Sequence, residues 1–293
     1  MTRSAPFALA ALLALAACGK AGPPPGFEGP PSPALFEISS PGGAVEGWMF
    51  GTIHSLPDGV VWETATLEGV LDRADLLVVE VRDLDDAPAL REAFTERAYT
   101  AGQPPLAAKV PADMRGDLSA VLAEHDVAGD TFAGLETWAA ALTLAQYAET
   151  GEAANGADRA LISRVPREKV VELEGAAHQL DVFDRLPEAE QRDLLAAVIA
   201  DMARNENPLR HAADWYAGRI DHLADPATSA ILADPELREA LYAGRNREWA
   251  ERLAALLERE PRPLIAVGSA HLAGDDGLPA LLAARGYTVR RVQ

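Results

Sequence analysis

Apolar positions along this chain follow two rhythms. Short runs at Leu35–Ile38, Trp48–Phe50, Lys169–Leu173, Leu264–Val267 and Tyr287–Val292 read as strands, and Asp75–Val81 (DLLVVEV) as a buried one. The first two face each other across a Pro41-Gly42-Gly43 turn and predict a hairpin. Helical spacing predicts helices over 62–73, 87–102, 111–124, 134–150 and 278–285. The stretch 156–260 is rich in Ala, Leu, Glu and Arg at helical periods, punctuated by Pro187, Pro208, Pro226 and Pro235. Strands that alternate with helices predict an α/β fold: a small, mostly parallel central sheet that carries a large helical insertion in its middle.

The two ends of the chain repeat one another. Residues 48–59 read WMFGTIHSLPDG and residues 265–277 read IAVGSAHLAGDDG. Each copy is an apolar strand, G-x-x-H, a short loop, Asp-Gly, a helix and another strand. Each histidine follows its strand by a few residues, at the carboxyl edge where open α/β sheets place their chemistry. Two such pseudo-repeats would bring His54 and His271 to one cleft. The glycine three residues before each histidine permits a tight turn or close approach of the backbone to a ligand.

The amino terminus has a different character. Residues 1–17 begin with Arg3 and run through an apolar Ala/Leu/Phe stretch to small residues, the pattern of a secretory signal peptide. Leu15-Ala16-Ala17-Cys18 resembles a bacterial lipobox, which implies cleavage before Cys18 and lipidation of its thiol. Gly19 follows where an Asp would signal inner-membrane retention, so the expected location is the outer membrane, facing the periplasm. Two or three acyl chains anchor durably, so contact with the membrane is expected through the lipid alone. Residues 18–33 are rich in Pro and Gly and predict an extended spacer, with the folded domain at 34–293. The chain has one cysteine, which leaves no intrachain disulfide and no cysteine metal cluster. Acids outnumber bases 45 to 26, for a net charge of −19, which disfavours nucleic acid as a partner.

GTIH (51–54), VVE (78–80), ELEGAAHQL (172–180), RNREW (245–249) and GSAHLAGDDGL (268–278) resemble, in order, the motifs of the TraB/GumN family, whose signature is a paired G-x-x-H. The likeness covers residues 34–293 and extends more distantly to the erythromycin esterase and ChaN-like haem-binding fold. It implies a metal-dependent hydrolase with a peptide or protein substrate, as described for the animal TIKI members. On that resemblance His54, Glu80 and His271 would hold a divalent ion, Mn²⁺, Co²⁺ or Zn²⁺. Neutral imidazole is a common metal ligand, and a carboxylate at a strand end serves either as a ligand or as a base on metal-bound water. Glu174 ends its own short strand in the family's Leu-Glu block. It reads ELEG here where many relatives have GLET, and its alternative role is to satisfy free backbone N–H groups at a helix start. Arg245 would steady an oxyanion, and Asn246 either assists or caps its helix.

Asp58, Asp275 and Asp276 are expected to shape turns and cap helices, and His125, His178, His211 and His222 to be surface or packing residues. The chain lacks H-E-x-x-H, G-x-S-x-G and a phosphate-binding loop. Two other functions fit the same cleft: a lipoprotein that binds haem or a peptide without turnover, and a metal-free ester hydrolase with histidine as base. The sequence leaves the oligomeric state open.

Overall fold

The computed structural model describes residues 24–204, 207–259 and 261–293. The signal peptide and Cys18 lie outside the described residues. The chain opens with strands β1 (Leu35–Ser39) and β2 (Val45–Thr52), then helix α1 (Ala65–Leu71) and β3 (Leu76–Val79). Helices α2 (Ala87–Ala98), α3 (Leu106–Lys109), α4 (Arg115–Glu124), α5 (Thr137–Ala148) and α6 (Ala157–Ser163) lead to β4 (Val170–Glu172). Then come α7 (Ala176–Asp184), α8 (Glu188–Ala203), α9 (Arg210–Tyr216), α10 (Ile220–Leu223), α11 (Ala230–Ala233) and α12 (Pro235–Arg238). A π-helical segment, Glu239–Ala243, joins α12 to α13 (Gly244–Leu257). The chain ends with β5 (Pro263–Gly268), α14 (Leu278–Ala283) and β6 (Thr288–Arg291).

The six strands form one mixed sheet in the order β4-β3-β5-β2-β1-β6. β4, β3, β5 and β2 run parallel, and β1 runs antiparallel to both β2 and β6. Strand alternation divides the core. Trp48, Phe50, Leu77, Val79, Leu264 and Ala266 face α1, α6 and α9, whereas Met49, Val78, Ile265 and Val267 face α13 and α14. With both faces covered, the inner strands must be apolar at nearly every position, which is why they read as unbroken runs. A third cluster, built from α4, α5 and α8 around Trp138, Leu144, Leu194 and Ile199, forms a helical body beside the sheet. Among the described residues no helix is long and apolar enough to cross a membrane.

The predicted hairpin is β1–β2, closed by Gly43 at φ 84°. The repeated strands β2 and β5 are central neighbours, paired in parallel with Thr52 beside Gly268. Their helices leave to opposite faces: Leu67 and Val70 of α1 pack on one, Leu278 and Leu282 of α14 on the other.

The stretch expected to be spacer up to Pro33 differs. Phe27 is fully buried, edge-on to Tyr216 with ring centroids 5.3 Å apart. The Ser32 N–H donates to Tyr216 O at 2.8 Å, and the Tyr216 hydroxyl donates to Gly29 O at 2.9 Å. A single aromatic ring in a Pro/Gly-rich run buries enough surface to dock the segment, which composition alone does not show. Phe27→Ala is expected to lower stability by about 3 kcal/mol in urea unfolding, while Glu28→Ala stays near wild type.

Candidate functional site

The two G-x-x-H glycines have a packing role. A Cβ on Gly51 would lie 2.5 Å from Ser269 Oγ and 3.1 Å from Ser269 Cα, so the first motif leaves room for the second. A Cβ on Gly268 would lie 3.3 Å from Glu80 Oε1, and the Gly268 N–H donates to that oxygen at 2.7 Å. Neither glycine has positive φ. Close approach, not a tight turn, therefore explains them.

His54 leaves the carboxyl end of β2. Its loop is clasped by the segment before α6: the Ala157 N–H donates to Ile53 O at 2.8 Å, and Gly156 packs against the His54 carbonyl so closely that a Cβ would stand 2.2 Å from it. The first turn of α6 then delivers Asp158, whose Oδ2 lies 2.8 Å from His54 Nδ1. The His54 side chain is 67% exposed and that of Asp158 only 10%. The Asp158 charge and hydrogen bond push His54 up to about 9. Burial works against the Asp158 charge, but the His54 charge and hydrogen bond, with the Thr52 hydroxyl and the Asp158 N–H, together hold that carboxyl below its ordinary range.

His271 sits on a 3₁₀ turn, Ser269–Leu272, directly after β5, and is buried. Its ring lies 4.6 Å from Trp249 and 5.4 Å from Tyr242, centroid to centroid. Asn246 is fully buried; its Oδ1 is 2.6 Å from His271 Nδ1, and its Nδ2 donates to Asp276 O at 2.8 Å. That pair places the ring proton on Nδ1 and leaves Nε2 as an acceptor facing Arg245 Nη1 at 3.5 Å. Burial lowers His271 to about 4, with Arg245 acting in the same direction and Glu80 against it, so the imidazole is neutral at pH 7. Asn246 cannot cap a helix, because the chain is already helical through α12 and the π segment. A π insertion of this kind re-aims the side chains that follow, and Arg245 comes two residues after it.

Arg245 joins the acids. Its Nε and Nη2 grip Glu174 as a fork at 2.8 and 2.7 Å, and Nη2 also reaches Glu80 Oε2 at 3.1 Å. Its Nη1 donates to Leu241 O and stands 3.5 Å from His271 Nε2. The guanidinium lies 4.7 Å over the Trp249 ring, and Trp249 Nε1 donates to Glu174 Oε1 at 3.0 Å. Glu174 is therefore a buried Arg245 partner and not a helix-start carboxylate. Its neighbour Gly175 takes φ 81° where the ELEG block turns into α7. Glu80 also accepts from Gln179 Nε2 at 3.1 Å. Burial opposes its charge, but His271 where it is protonated, and Arg245, His54 and the Gly268 N–H at neutral pH, hold the carboxyl below its ordinary range. The His54 charge acts on both Glu80 and His271, so the two motifs lie within electrostatic reach of one another.

For a metal, each imidazole is suitably prepared: an oxygen binds Nδ1 and Nε2 is left to coordinate. As a set, His54, Glu80 and His271 do not fit a closed centre. Among the described residues only Glu190, Asp234 and Glu236 bring three donor atoms within 4.8 Å of one another. Arg245 already supplies the positive charge beside Glu80.

The structure adds Asp158, Gln179 and Tyr242 to the residues named from sequence. Asp158 carried a signal: an acid three residues before Leu161 on the buried stripe of a helix. Asp58 accepts from Asn155 Nδ2, and Asp276 pairs with Arg238. Neither caps a helix; Thr64 caps α1, and α14 has no side-chain cap.

A parallel-centred α/β sheet with paired G-x-x-H strands and a buried Arg–Glu network at their carboxyl edge defines the class. The chain matches the TraB/PrgY/gumN family over residues 34–291 and belongs to it. It is 25% identical over 264 residues to "Uncharacterized protein YbaP" of Shigella flexneri, covering 85% of this chain and 92% of that protein. It is also 25% identical over 248 residues to the protein of the same name in Escherichia coli (strain K12), covering 80% and 86%. No solved structure matches.

Two outcomes follow from this geometry. Arg245→Met leaves two buried carboxylates without their cation and should cost about 3–5 kcal/mol in urea unfolding, with Arg245→Lys recovering only part because it lacks the fork. His271 stays neutral when folded until about pH 4, while the unfolded chain protonates it near the ordinary 6.5. Its contribution is complete above 6.5 and is lost as pH falls towards 4, up to about 3 kcal/mol. His271→Gln should flatten that part of the stability–pH curve.

Proposed function

We propose that the chain is a hydrolase of acyl bonds, peptide or ester, in which His54 handles the proton. The observation that carries this reading is the Asp158–His54 pair at 2.8 Å, its imidazole open to solvent, beside a buried Glu80–Arg245–His271 centre. Asp158 fixes the tautomer with Nδ1–H, so Nε2 faces outward as the base that takes a proton from attacking water. Arg245 keeps a permanent positive charge, with Nη1 beside His271 Nε2, where negative charge on the substrate carbonyl oxygen would be stabilised. Neutral His271, held by Asn246, presents its Nε2 lone pair as an acceptor to the attacking water or to a leaving amine N–H, and protonated His54 returns its proton to the leaving group. Glu80 and Glu174 hold the guanidinium still.

The metal-dependent form implied by the family keeps one supporting observation, the two imidazoles whose Nδ1 atoms are bound by oxygens. In that form His54, Glu80 and His271 would hold Mn²⁺, Co²⁺ or Zn²⁺, which would supply an activated water near neutral pH. The rest of the reading is location. We propose export and a lipid anchor at Cys18, on the outer membrane facing the periplasm, supported by the apolar stretch and the Leu15–Cys18 sequence.

Quenched peptide libraries and acyl esters supply the assay. His54→Ala should lower kcat/KM by about 10²–10⁴. Because Asp158 raises His54, kcat/KM should climb from neutral towards alkaline pH, and Asp158→Asn should move the inflection down towards 6.5. Activity that survives chelation favours the metal-free form. Bound metal in wild type that is absent from His54→Ala favours the other. Ligand binding without turnover in any of these assays would sink the hydrolase reading.

A further inference from the structure

Outside the buried centre, a groove of about 720 Å³ runs between α7, the start of α8, α12, the π segment and α13. That volume lies in the range of pockets that bind small molecules or a few residues of chain. Val182, Leu186, Pro187, Pro235 and Ala240 give it an apolar lining, and Arg245 forms part of its wall. The same guanidinium contacts Glu80 and Glu174 inside, so the groove borders the proposed chemistry directly.

Arg245 is already engaged by Glu80 and Glu174, and Glu239 by Arg247; the charge left over in the lining is acidic. Glu190 and Glu236 line the groove, and together with Asp234 they place three carboxylate oxygens within 4.8 Å of one another. Among the described residues none of these acids has a basic side chain within ion-pair distance, and neither has Glu248 on the same groove. Burial and the neighbouring Asp193, Glu236 and Asp234 raise Glu190 above its ordinary range. Like charges crowded beside apolar surface favour a ligand that brings a cation and a hydrocarbon side chain together.

We propose that this groove selects peptides bearing a lysine, an arginine or a free amino terminus next to an apolar residue, with the cation among Glu190, Asp234 and Glu236 and the apolar side chain on Val182, Leu186 and Pro235. The inference rests on the hydrolase reading for its location beside Arg245 and deepens it by naming the substrate class. Glu190 and Glu236 are specificity residues, remote from the proton-transfer pair.

The test separates binding from turnover. Fluorescein-labelled pentapeptides that differ only by lysine, norleucine or glutamate at the second position are titrated by anisotropy against the full chain carrying His54→Ala. The lysine peptide should bind about tenfold tighter than the norleucine peptide. That preference should vanish in Glu190→Gln with Glu236→Gln and shrink with added salt, while circular dichroism stays unchanged. Equal binding of lysine and norleucine peptides, a preference that survives the double variant, or binding of no peptide would overturn the assignment. So would competition by Mn²⁺ alone at one equivalent, which would make the acids a cation site. A lysine preference without hydrolysis in the wild type keeps the groove and removes the hydrolase; hydrolysis without the preference does the reverse.

Discussion

Arg245 is held between two carboxylates that arrive from neighbouring strand ends, and nearly everything distinctive about the centre follows from it. The carboxylates of Glu80 and Glu174 are tolerable at buried positions only because one guanidinium serves both, through a fork to one and a shared nitrogen to the other. Its planar face also rests on Trp249, whose indole N–H returns to Glu174. Every acceptor in this group is used, so the cluster can stay dry and still charged. Arginine is suited to the place because it cannot shed its proton.

The two histidines differ because one pairs with a carboxylate and the other does not. Both follow G-x-x-H, on adjacent parallel strands, yet one meets Asp158 in the open and the other meets Asn246 under two aromatic rings. A carboxylate on Nδ1 makes an imidazole basic, whereas an amide oxygen and burial make it stay neutral. The repeat thus yields one member that is cationic at neutral pH and turns into a base on the alkaline side, and one member that stays neutral. Such divergence between paired titratable groups is how acid and base roles are divided in one site.

Much of this was legible along the chain. The unbroken apolar runs at Trp48–Phe50, Leu76–Val79 and Leu264–Val267 became central strands because burial on both faces leaves no polar position. The repeated G-x-x-H placed His54 and His271 after neighbouring strands, and Glu80, Glu174, Arg245 and Asn246 all lie around His271 or its partners. Asp158 was not singled out, because its partner lies 104 residues away and helical periodicity reports only which face is apolar. Phe27 falls within the predicted spacer for the same reason: composition describes the segment, not what its one aromatic ring can reach.

By itself, then, the sequence determined the alternation of strands and helices, the paired motifs and the family, since periodicity and local motifs are properties of short stretches. Only the tertiary structure decided which nitrogen of each histidine is bound, which carboxylates share Arg245, and that two mid-chain segments wall a groove beside it. Those are contacts between residues distant in the chain, and protonation, burial and charge pairing depend on distance through space.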